Sequence, residues 1–179
     1  LIITGASGNI GSALCRAFTN KFRVIGLDRN PCEHADASIE CDLTSDASVK
    51  LALYKIKKEY GNQLAAVIHL AAYFDFSGEE NPLYQSVTVE GTRRLLEYLN
   101  DFDVDRFIYS STMLVHEPGV PGRKINEEAP LKPKWAYPRS KVAAERQVRQ
   151  KCGDMPYTIL RLAGLYDEGL SLIHISEPT

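Results

Sequence analysis

A chain of 179 residues is long enough for one domain with a substantial core. Hydrophobic residues at 44% and charged residues at 25% fit an ordinary globular chain, and a net charge of −2 without like-charge runs excludes an electrostatic footprint for nucleic acid or an anionic membrane. No apolar stretch is long enough to span a bilayer.

In chain order, Leu1–Thr4 reads as an apolar strand ending in the glycine-rich run Gly5-Ala-Ser-Gly-Asn-Ile-Gly11. Ile10, Ala13, Leu14, Ala17 and Phe18 then recur at helical spacing. Phe22–Leu27 reads as the second strand, with a short one near Ser38–Cys41. Val49, Ala52, Leu53 and Ile56 mark a helix that Gly61 stops. Ala65–Leu70 reads as a buried strand, Pro82–Leu99 as a long helix and Arg106–Ser110 as a strand. The polar stretch Glu117–Lys134, rich in proline and glycine, has the length of an active-site loop. Ala136–Lys151 is predicted helical and Tyr157–Leu162 a strand.

Strands and helices alternate without hairpin signals, which predicts an α/β fold: a doubly wound parallel sheet covered by helices on both faces. Cys15, Cys32, Cys41 and Cys152 are scattered without a C-x-x-C pair, so they read as free thiols of a reducing cytoplasm and not as a disulfide framework or metal site.

The glycine-rich run follows a strand and opens a helix, the context in which G-x-x-G-x-x-G binds a dinucleotide. Gly5 permits the tight turn, Gly8 lets a pyrophosphate reach the backbone, and Gly11 lets helix and sheet pack closely. The amides of Ser7, Asn9 and Ile10 lie where the helix start meets the phosphates. Asp28 follows the second strand at the distance where a carboxylate accepts from ribose hydroxyls, favouring NAD. Arg29 beside it could pair with a 2′-phosphate, so NADP stays open. In Tyr137-Pro-Arg-Ser-Lys141 the phenol and ammonium share one helix face, and the cation, with help from an oxidised nicotinamide, is expected to lower the phenol pKa.

Taken together, these motifs, with Cys41-Asp42-Leu43, His69-Leu70-Ala71-Ala72, Asn81-Pro82, Gly91-Thr92, Tyr109-Ser-Ser-Thr112 and Arg161, resemble the extended short-chain dehydrogenase/reductases, specifically the NAD-dependent epimerase/dehydratase family. The resemblance covers residues 1 to about 169 and implies a Rossmann cofactor domain truncated before a C-terminal substrate domain. It implies Tyr137 as acid/base on a substrate hydroxyl, Lys141 on the nicotinamide ribose and Thr112 on the substrate oxygen. Asp42 and Leu43 would lie along the adenine, with Leu70, Ala71 and Ala72 bordering the cleft. His69 would be structural, and His116 would lie toward the substrate. The partner would be a small molecule, a nucleotide sugar by default, and relatives dimerise through the helices matching Pro82–Leu99 and Ala136–Lys151.

Departures are specific. Thr88 stands where the family often has Asn, and Met113-Leu114 stands where its dehydratases place Asp-Glu, which argues against dehydration. His116-Glu117 replaces Tyr-Gly, and Leu162 replaces Pro. A non-catalytic NAD(P)-binding sensor or assembly protein is the alternative function. The closing run Leu170–Thr179 resembles a translated sequencing adapter, so residues 170–179 are expected to be a non-native tail, and the isolated piece to be poorly soluble with a bare sheet edge.

Overall fold

The computed structural model describes residues 1–75, 77–119, 122 and 124–165, so the expected tail lies outside the described residues. The chain builds β1 (Ile2–Thr4), α1 (Asn9–Phe18), β2 (Ile25–Asp28), β3 (Ala37–Glu40), α2 (Asp46–Tyr60), β4 (Gln63–Leu64) and β5 (Val67–His69). A π-helical turn (Tyr84–Val89) runs into α3 (Glu90–Leu99), followed by β6 (Asp103–Val104), β7 (Phe107–Thr112), a 3-10 turn (Met113–Val115), α4 (Ala136–Lys151) and β8 (Tyr157–Leu162). Six of these strands form one parallel sheet in the order β3-β2-β1-β5-β7-β8, with β4 and β6 as a separate parallel pair.

That order is what right-handed crossovers dictate. The chain moves one way from β1 to β2 and the other way from β3 through β8, so α1 covers one face while α2, α3 and α4 share the opposite one. The core divides accordingly: Leu53, Ile56, Leu95, Leu96 and Val148 pack with Phe107 on one side, and Ile3, Cys15, Val24 and Ile68 on the other. No helix among the described residues is long and apolar enough to cross a membrane.

Two helical starts are held by side-chain oxygens. Ser45 Oγ accepts the Ser48 amide at 3.2 Å to start α2. Asn81 Oδ1 accepts the Leu83 amide at 2.9 Å ahead of the π-helical turn, with Pro82 just inside the start. Several strand boundaries differ from expectation by one to three residues, and two of the shifts have a visible cause. Phe22 is not in β2: its amide bonds the Phe18 carbonyl at 2.9 Å, so it extends the end of α1. β7 runs two residues past Ser110 because β8 pairs with it through Thr112 and Leu162.

His69, the last residue of β5, ties three elements together. Its Nδ1 lies 2.6 Å from Thr4 Oγ1 and its Nε2 2.9 Å from Thr92 Oγ1. Thr92 gives its own proton to the Thr88 carbonyl at 2.6 Å, so the network assigns the ring proton to Nε2. Burial pushes the imidazole pKa down to about 3, with the Lys141 charge adding to the effect.

Two outcomes follow from this packing. A Cβ on Gly11 would fall 2.1 Å from the Gly5 carbonyl oxygen and 2.6 Å from Ala6 Cα, so Gly11→Ala should destabilise the fold by about 1–3 kcal/mol or more. An unchanged urea midpoint would disprove that contact. His69 takes up a proton near 6.5 when unfolded but only near 3 when folded, so its contribution is complete above pH 6.5 and is lost as pH falls. Unfolding free energy should therefore fall by up to about 1.4 kcal/mol per pH unit below 6.5, and His69→Gln should flatten that limb relative to wild type.

Candidate active site

The sheet reverses direction at β1, and a cleft of about 270 Å³ opens there at the carboxyl ends of the strands. Gly5, Ser7, Gly8, Asp28, Arg29, Asp42, Leu43, Leu70, Ala71 and Ala72 all line it. Thr4, Leu27, Cys41 and Val87 line it too and were not foreseen. Asn9, Ile10 and Gly11 are absent from its wall: the first two are exposed in the first turn of α1, and Gly11 is buried against the Gly5 turn.

The geometry fits a dinucleotide. Gly5 takes φ +70°, and a Cβ there would meet the Ala71 amide at 2.8 Å, so only glycine allows the turn. A Cβ on Gly8 would meet nothing closer than the Gly5 oxygen at 3.3 Å, leaving its outer side open to a phosphate. The start of α1 carries no capping side chain and no acidic residue, so its amides face outward unopposed. Asp28 is held by two backbone amides, Ser7 and Asn30, each at 3.1 Å. Asp42 spends one oxygen on the Thr44 amide and hydroxyl, both at 2.8 Å, and this holds its carboxyl below the usual range against burial. Burial, with Asp42 and Asp28 nearby, pushes the Cys41 thiol up to about 12, so it is an inert wall residue.

The second half of the site is built on α4. Tyr137 and Lys141 lie one turn apart, and the Lys141 ammonium sits 5.8 Å from the Tyr137 ring centre and 5.1 Å from that of Tyr109. Lys141 is buried and donates to the Ser110 carbonyl at 2.8 Å. Burial pushes it down to about 7, with Glu145 pulling the other way. The expected lowering of Tyr137 does not occur in the chain alone: burial, then Tyr84, pushes the phenol up to about 12. The reason is geometric, since Lys141 lies over the ring and gives its proton to a carbonyl. Phe74 packs edge-on against Tyr137 with ring centres 4.7 Å apart.

Thr112 ends β7, buried, its hydroxyl accepting the Leu114 amide at 3.3 Å. Met113 and Leu114 are exposed beside it. His116 is buried, and its Nε2 lies 3.2 Å from Arg161 Nη1. Thr88 accepts the Tyr73 amide at 3.0 Å from inside the π-helical turn. Sequence reasoning missed Glu145 and named Ser111 only within the Tyr109-Ser-Ser-Thr112 run; their side chains meet at 2.6 Å in the interior. The spacing Tyr-x-x-x-Lys-x-x-x-Glu was the available signal, because it continues the same helical stripe.

The family described as the NAD dependent epimerase/dehydratase family matches residues 1–172. A putative UDP-glucose 4-epimerase of Methanocaldococcus jannaschii is 27% identical, covering 94% of this chain and 56% of its own. A 3beta-hydroxysteroid dehydrogenase/Delta(5)-Delta(4) isomerase of Caenorhabditis elegans is 30% identical over 76% of this chain and 29% of its own. A short-chain dehydrogenase/reductase superfamily protein from Agrobacterium tumefaciens with bound NAD has a TM-score of 0.73 at 28% identity, covering 89% of this chain and 48% of its own. The chain thus spans about half the length, or less, of the proteins it matches. On the match over residues 1–172 and the cleft just described, this chain belongs to the NAD dependent epimerase/dehydratase family.

Proposed function

We propose that the chain is the NAD-binding part of an enzyme that interconverts a secondary alcohol and a ketone, as an oxidoreductase or as an epimerase passing through the ketone. The carrying observation is that Tyr137 and the buried Lys141 share one face of α4, with Lys141 bonded to the strand end that leads into Thr112. Asp28, Arg29, Asp42, Leu43 and the Gly5–Gly11 turn would hold the adenosine and pyrophosphate, and Leu70, Ala71 and Ala72 would border the nicotinamide side. Bound NAD would supply the hydride acceptor or donor. In the direction of reduction Tyr137, protonated in the chain alone, would give its phenolic proton to the ketone oxygen as hydride reaches the carbon. In the direction of oxidation its phenolate, favoured by the charge of an oxidised nicotinamide, would take the hydroxyl proton as hydride leaves. Lys141 would donate to the nicotinamide ribose, and Thr112 would orient the substrate oxygen.

Met113-Leu114 offers no acid to expel a hydroxyl, which supports redox or epimerisation over dehydration. A nucleotide sugar is the substrate class that the epimerase relative favours, with a sterol-like alcohol behind it. Four buried free thiols favour a reducing, cytoplasmic setting. Asp28 favours NAD, since its carboxylate would repel a 2′-phosphate.

In the whole protein that carries this chain, tested on UDP-glucose and on a 3β-hydroxysteroid, Tyr137→Phe should cut the rate about 10²–10⁴-fold while NADH affinity is kept. Retained activity would remove Tyr137 from the mechanism. Loss of NADH binding in that variant would instead make it a structural residue.

A further inference from the structure

We propose that Glu145 is a positioning residue for this site: through Ser111 and Arg161 it fixes the strand end that holds Lys141 and leads into Thr112. The inference rests on the roles proposed above for Tyr137, Lys141 and Thr112.

Tyr137, Lys141 and Glu145 stand at i, i+4 and i+8 of α4, so successive turns of one stripe meet β7. The register is explicit. Lys141 Nζ donates to the Ser110 carbonyl at 2.8 Å, and one residue on, Ser111 Oγ donates to Glu145 Oε1 at 2.6 Å. Thr112 follows directly on the same strand. Arg161, on β8, grips the carboxylate with both oxygens: Nε to Oε1 at 3.0 Å and Nη2 to Oε2 at 2.8 Å. Its remaining nitrogen reaches the Glu127 carbonyl at 3.1 Å and His116 Nε2 at 3.2 Å. Arg149 adds a contact to Oε2 at 3.3 Å.

Glu145 is 1% exposed, where an isolated carboxyl would take up a proton. Burial does oppose its charge, but hydrogen bonds from Arg161 and Ser111 outweigh it and hold the carboxyl below its usual range. A permanent anion therefore lies one turn from Lys141, and it raises an ammonium that burial alone would push further down. The other ionisable groups around Lys141 do not supply this field: Tyr109 and Tyr137 stay neutral, His69 is uncharged, and Arg149 and Arg161 are paired with Glu145.

A stability role alone accounts poorly for this arrangement. A buried ion pair roughly breaks even against apolar packing of the same volume, so net stability does not explain this one and the position it fixes does. Here the position specified is that of two groups proposed to touch the reacting atoms.

The test is the dissociation constant of NADH, followed by its fluorescence from pH 5.5 to 9, for the full chain and three variants. Wild-type affinity should weaken as pH rises through the Lys141 titration near 7, because a charged donor makes the stronger bond to the ribose. Lys141→Ala should bind more weakly, with no such pH dependence. Glu145→Gln keeps the shape and the acceptor for Ser111 but loses the charge, so its midpoint should move down by on the order of one pH unit.

If Lys141→Ala keeps the wild-type profile, the cofactor role of Lys141 fails, and with it the proposed function. If Lys141→Ala is flat but Glu145→Gln retains the wild-type midpoint, the positioning role alone is overturned. Should Glu145→Gln not fold, Ser111→Ala decides: a several-fold loss of NADH affinity supports the role, and unchanged affinity refutes it.

Discussion

The backbone contact between the Gly11 position and the Gly5–Ala6 turn is the constraint on which the rest depends. With no side chain at either glycine, the start of α1 closes onto the end of β1 at distances a Cβ would forbid, and Gly5 lies as close to Ala71, just past the neighbouring strand β5. The turn, the start of α1 and the distant Ala71 segment are thereby fixed as backbone against backbone, which no rotamer change can relax. The consequences are chemical. The Ser7 amide is brought onto Asp28, so the acid at the end of β2 is aimed by the same turn that presents the helix amides. His69 locks the other wall, holding Thr4 on one side and Thr92 on the other.

The second half of the site is governed by burial against charge. Lys141 pays for its position with a pKa near 7, and Tyr137 rises to about 12 for the same physical reason, removal from water. Both shifts favour the neutral form. The phenol is thus a proton donor in the chain by itself, and the mechanism proposed for it begins from the protonated side. Any use of Tyr137 as a base requires added positive charge at the site, which an oxidised nicotinamide carries and a reduced one does not.

Much of this was legible in the sequence, for reasons that differ by element. Ala136–Lys151 and Tyr157–Leu162 emerge as read because apolar spacing and length agree there. The glycine turn was legible because few residue types survive its contacts. What was not legible depends on partners distant in sequence. The β4–β6 pair has two residues in each strand, too few to show a period. The π-helical turn at Tyr84–Val89 has no composition of its own; it sits where the Thr88 hydroxyl takes the Tyr73 amide and its carbonyl takes the Thr92 hydroxyl. The rise of the Tyr137 pKa comes from burial that includes Phe74 and Tyr84, which sequence spacing cannot place beside it.

The segment after β7 narrows the chemistry further. Expelling a hydroxyl from a substrate needs an acid near the leaving oxygen, in addition to the group that handles the alcohol proton. The run from Thr112 to His116 supplies Met113, Leu114 and Val115, and His116 is turned to Arg161. The first carboxylate after it, Glu117, is exposed and taken by Lys132 at 2.8 Å. Among the described residues this strand end therefore offers the Thr112 hydroxyl and apolar surface, and Tyr137 is the proton donor proposed for the reacting carbon. Chemistry confined to a single proton and a hydride breaks no C–O bond, which is why the proposed reaction is alcohol–ketone exchange, alone or as half of an epimerisation.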